Sequence, residues 1–241
     1  MERRIIDVMM TLIVVLAVSG ALLLGAIWGV YGHMSGRLEG FLIALAGGAL
    51  VLSLVSELIE PAIEQSSVFL ASAGVAAGAI VFAAADYLID EKWGPNSGGG
   101  LLAVISLDGI PENLALGVAL IGAGPMGVAA LAGSIFLSNL PEAAGGAKQM
   151  ADNGDRSNGR IVAIWAVTAA VLSAAAIAGN LLLAKVSPEW LAFIRCFAAG
   201  AVVASLATEV FPTAFRKDHH LAGVATALGL VLAFLLGELG G

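Results

Sequence analysis

Residues 105–117 read ISLDGIPENLALG, and residues 135–147 read IFLSNLPEAAGGA. Laid over each other, Pro111 falls on Pro141 and Glu112 on Glu142, while Asp108 falls on Ser138 and Gly109 on Asn139. Both stretches lie inside apolar runs. A proline removes a backbone hydrogen bond, and a carboxylate beside it is costly in hydrocarbon. Two such copies in register read as two half-sites facing each other around a cation.

The rest of the chain fits that environment. It has 241 residues, of which 59% are hydrophobic, only 12% are charged and 31 are glycines. Soluble domains carry roughly 25% charged residues. The composition therefore predicts an all-α polytopic membrane protein, a single transmembrane domain over 1–241, with no room for a soluble domain. Abundant glycine suits helices that pack closely in lipid. The lone Cys196 excludes a disulfide framework. A net charge of −7 does not suggest nucleic acid as a partner and suits a cation path. The N-terminal MERRIIDVMMTLIVVLAVSGALLLGA resembles a signal peptide, but the apolar run continues through Trp28 and Val30, which is right for a span.

A span needs about 20 mostly apolar residues. Eight stretches meet this, at about 7–30, 39–60, 67–89, 98–121, 126–150, 160–184, 190–213 and 220–239. With eight spans both termini share one side. That side carries Arg3, Arg4, Lys185 and Arg195, against Arg37, Lys92, Lys148, Arg156, Arg160, Arg216 and Lys217 on the other. Lys and Arg favour the cytoplasm, so both termini are expected outside, in a plasma (inner) membrane.

A second repeat places 48–61, GALVLSLVSELIEP, on 200–213, GAVVASLATEVFPT. Glu57 falls on Glu209, in spans two and seven, which run in opposite directions. The first repeat sits on spans four and five, also antiparallel. Both fit an inverted repeat of 3+2+3 helices. Inverted repeats with broken helices near the midplane mark secondary transporters.

Asp108 and Glu112 are one helical turn apart and share a face. Pro111 and Pro141 free the carbonyls of Leu107 and Leu137. Three carboxylates, Asp108, Glu112 and Glu142, would repel one another unless some are protonated or a cation neutralises them. A divalent ion offsets most of that charge, and Ser138 and Asn139 add neutral oxygens. A kink with a satisfied carboxylate would explain one copy; two registered copies favour a site. Glu57 and Glu209 fall near opposite mouths, as gate contacts or as carboxylates bonded to a neighbouring helix. Asn113 is a polar candidate for the path or a gate; Asn180 reads as a helix–helix hydrogen bond or as a residue lining the path. Asp86 reads as a helix-end residue or a pathway contact. His219 and His220 read as a surface pair or an exit for metal.

These residues resemble the ZIP (Zrt/Irt-like) metal transporters, whose fourth and fifth helices carry an HNxPEG-like motif and an HExPHE- or QDxPEG-like motif. Here the corresponding stretches are Asp108-Gly-Ile-Pro-Glu-Asn113 and Ser138-Asn-Leu-Pro-Glu-Ala143. The resemblance implies that Glu112 and Glu142 are shared metal ligands, with Asp108 and Ser138 at histidine positions and Asn139 at an acidic one. Gly109 replaces an asparagine ligand, which favours one site over the family's pair. The family's histidine-rich loop is absent, since DEKWGPNSGGG holds no histidine. An all-oxygen site leaves Zn²⁺, Mn²⁺ and Fe²⁺ nearly equal. The resemblance also implies a homodimer in membrane lipid, in which spans one, four, five and six carry the metal past the other four in an elevator motion.

No GxxxxGK[ST] loop occurs, so ATP is not expected to drive transport, and no prosthetic group is expected. An enzyme is not expected either. An intramembrane aspartyl protease needs YD and GxGD motifs, whereas Asp86 precedes Tyr87 and Asp108 follows Ser-Leu. A metal sensor, or a ZIP-like protein with another substrate, is the alternative.

Overall fold

The computed structural model describes residues 2–93, 98–121, 126–154 and 156–240, with the side chains of 2–8, 10, 90, 92–93, 98–108, 126 and 239–240 left undescribed. Among the described residues the secondary structure is helical, with no strand. The helices are α1 (Glu2–Tyr31), α2 (Gly36–Gln65), α3 (Val68–Trp93), α4 (Gly98–Ala119), α5 (Ala129–Asp152), α6 (Asn158–Leu183), α7 (Pro188–Lys217) and α8 (Ala222–Gly240). Five of the described segments are long and apolar enough to cross a membrane: Thr11–Tyr31, Gly36–Gln65, Val68–Ile89, Asn158–Leu183 and Pro188–Lys217. This is an all-α membrane protein.

Pro111 and Pro141 do not break their helices. Both α4 and α5 run on as α-helix through the proline. One missing amide bond is tolerated where neighbouring helices hold the backbone. The irregularities fall elsewhere, in α2 and α7, which open into π turns over Val55–Ile59 and Leu206–Val210. Prolines explain the position of each. Pro61 cannot donate to the Glu57 carbonyl and its ring would crowd it; Pro212 stands likewise to Thr208. The chain widens, and the amides of Glu60 and Phe211 reach five residues back to the Val55 and Leu206 carbonyls.

Two groups of helices are visible in the packing. In one, α1 lies on α5 and α6, and α4 lies on α6. In the other, α3 lies on α7 and α2 on α8. The strongest links between the groups are α2 with α5 and α4 with α7. Where they meet, Val18, Leu54, Leu116, Leu131, Ile135 and Leu206 form part of the central core. No water is displaced when helices meet in hydrocarbon, so close van der Waals approach must hold them. Glycine allows it. A Cβ on Gly48 of α2 would collide with the Thr226 carbonyl of α8, and one on Gly200 of α7 with the Val75 carbonyl of α3. The partner helices answer in kind: Gly229 of α8 lies on the Leu45 carbonyl, and Gly78 of α3 on that of Phe197.

A carboxylate-lined cavity as candidate functional site

Antiparallel packing of α5 against α2, and of α4 against α7, leaves a cavity of about 470 Å³ between them. Glu112 of α4, Ser138 and Glu142 of α5, and Glu209 of α7 line it. Its floor is buried: Glu112 is 4% exposed and Ser138 6%. Along α5 the lining continues through Gly145 and Gly146 to Gln149, which is exposed. Arg216 and Lys217, both exposed, and buried Glu39 complete the open end. The cavity thus runs from buried Glu112 past half-buried Glu142 and Glu209 to solvent.

Four predicted site residues meet here: Glu112, Ser138, Glu142 and Glu209. Glu112, Glu142 and Glu209 are all engaged in interactions within the protein. Asp108 stands in α4, and its side chain lies outside the described residues. Among the described residues, no three His, Cys, Asp or Glu side chains are grouped so as to hold one metal ion.

The other candidates lie apart from the cavity lining. Asn139 is buried on the α1 side, where its Nδ2 donates to the Val18 carbonyl at 3.2 Å. Asn113 donates to the Gly109 carbonyl at 2.9 Å, one turn back on its own helix. Asn180 joins α6 to α4 through the Gly117 carbonyl at 3.2 Å. Half-buried Asp86 of α3 is engaged in interactions of its own. His219 and His220 are exposed beyond the end of α7, their rings 3.9 Å apart. At Gly109 the end of the Leu172 side chain of α6 lies where a Cβ would enter, so a larger residue would displace it.

Glu57 takes a different part from Glu209. Its Oε1 accepts the Leu131 backbone amide at 2.9 Å, in the first turn of α5. Val128 precedes that helix at the cap position and its side chain supplies no cap. Orphan amides at a helix start need an acceptor, and α2 provides it. One turn away, the Ser53 and Ser134 hydroxyls meet at 3.1 Å and tie the same two helices.

Three residues that the motifs did not single out complete the picture. Lys217 Nζ lies 2.7 Å from Glu39 Oε2, an ion pair between α7 and α2 at the open end. At the other end of α7, buried Arg195 donates to the Gln65 side chain at 3.2 Å and to the Ile121 carbonyl just past α4 at 3.0 Å. Glu39 carried one readable sign, its place in the first turn of α2 behind the Ser35 cap. Its pairing with Lys217 had none.

Comparison with models of known protein families finds no match, and comparison with curated proteins finds none either.

Proposed function

We propose that the chain is a ZIP-like carrier of a divalent metal ion, Zn²⁺, Mn²⁺ or Fe²⁺, moving it into the cytoplasm without ATP. The observation that carries this reading is the cavity: carboxylates of α4, α5 and α7 line one path from a buried floor to solvent, in a protein built of membrane-crossing helices. Carboxylate and hydroxyl oxygens suit hard and borderline divalent ions. Spread along a path, they serve an ion in transit by offering successive weak contacts. A tight cage would hold it.

The 3+2+3 plan, with α4 and α5 also crossing the membrane, draws support from the recurring contacts. Leu45 and Gly48 stand in α2 as Phe197 and Gly200 stand in α7, and each pair packs on a glycine-bearing helix, α8 or α3. The two packing groups match the division an elevator needs, α1, α4, α5 and α6 moving past α2, α3, α7 and α8. Arg37, Arg216 and Lys217 near the open end support reading it as the basic, cytoplasmic side. The cavity then opens inward, and both termini lie outside.

The test is uptake of Mn²⁺, Zn²⁺ and Fe²⁺ into proteoliposomes. Glu112→Ala and Glu142→Ala should each lower uptake by about ten-fold or more, the loss of roughly 1.4 kcal/mol of stabilisation. If both carry metal as well as the parent, the cavity is not the path.

A further inference from the structure

We propose that Lys217 is a resident counter-cation of the cavity, seated on Glu39, and that Glu39 is the exit contact from which a departing divalent ion is released. This rests on the reading of the cavity as a cation path and deepens it.

The geometry begins with Gly145. It stands three residues beyond Glu142, on the same face of α5. A Cβ at Gly145 would collide with Glu39 Oε1, so the carboxylate presses on the bare backbone there. Glu39 therefore sits beside the path, between Glu142 and exposed Gln149. A cation leaving Glu142 for solvent passes this carboxylate.

A carboxylate as buried as Glu39, whose side chain is 9% exposed, holds a passing cation strongly if nothing else neutralises it. Such a contact would be a trap. Lys217 answers this by standing 2.7 Å away on α7. Its own side chain is 32% exposed, so the ammonium reaches water without any helix moving. Lysine suits exchange, being a compact, strongly hydrated charge on a flexible stem. Arg216 is less free, since its guanidinium is bonded to Thr213 at 2.8 Å. As a divalent ion arrives on Glu39, Lys217 swings out; as it leaves, Lys217 returns, and the ion does not rebind.

Equilibrium binding of Mn²⁺ to the purified protein and Mn²⁺ uptake into proteoliposomes test this together. Lys217→Met keeps the side-chain length and removes the charge. It should tighten Mn²⁺ binding about ten-fold and slow uptake about ten-fold, each measured per folded molecule. Adding Glu39→Gln to Lys217→Met should return binding to the parental level and restore uptake. A pair that merely ties α2 to α7 would instead lower the melting temperature in Lys217→Met and in Glu39→Gln alike, with Mn²⁺ binding unchanged; that result overturns the proposal. Unchanged binding and uptake in Lys217→Met overturn it too, while active parent protein leaves the carrier reading standing. A parent that neither binds nor takes up a divalent ion overturns the carrier reading itself.

Discussion

Glu57 and Glu209 occupy matching places in the second repeat, each inside a π turn close before a proline, yet their surroundings give them opposite work. Glu57 is committed to backbone, holding the Leu131 amide at the uncapped start of α5. Glu209 lines a cavity with three other carboxylates, Glu39, Glu112 and Glu142, and an open end. The widened turn is common to both; what faces it is not. A repeat can therefore duplicate a backbone distortion and its side chain, while the neighbouring helix decides whether that side chain caps a helix or lines a cavity.

The sharpest way to break this contrast is to neutralise each carboxylate in turn. Glu209→Gln should cut Mn²⁺ uptake about ten-fold with little change in melting, an effect read in proteoliposomes. Glu57→Ala should do the reverse. It leaves an amide of α5 without its acceptor, at about 1–3 kcal/mol, so chemical or thermal unfolding should shift while uptake per folded molecule persists. Exchange of these two outcomes would invert the assignment. A somewhat smaller effect should come from the shared scaffold. Gly48→Ala and Gly200→Ala each push a methyl into a facing carbonyl, and overpacking of this kind costs about 1–3 kcal/mol. Near-equal losses in detergent unfolding would show that the halves are alike where the repeat is structural. Smallest of all should be Asn180→Leu. It removes one hydrogen bond from α6 to α4, at about 0.6 kcal/mol in a membrane protein, and uptake should stay near that of the parent.

Much of this was readable in the sequence, for a physical reason. A proline and a carboxylate in hydrocarbon are costly, so Glu112 and Glu142 stood out, and both line the cavity. Helical periodicity also gave Ser138 its correct face. Periodicity says which residues share a face, however, and not which helix that face meets. Asn139 adjoins Ser138 in sequence but points to the Val18 carbonyl, away from the cavity lining. Asn113 was a candidate for the path, and Asn180 for the path or a helix–helix bond; both donate to helix backbone. The prolines drew attention to α4 and α5 as broken helices, whereas the widened turns came in α2 and α7, where the crowding of Pro61 and Pro212 met a carbonyl that could move. Glu39 and Lys217 could not be paired from sequence, because a long-range ion pair leaves no local pattern.

The glycine contacts have a consequence for biosynthesis. The face of α2 around Gly48 is completed by α8, and the face of α3 around Gly78 by α7. Neither is completed within the first three helices. As the chain leaves the ribosome, those three must wait in the bilayer with bare backbone grooves turned to lipid until helices made much later arrive to fill them. These native contacts form only once the later helices are made, α7 seating on α3 and α8 on α2.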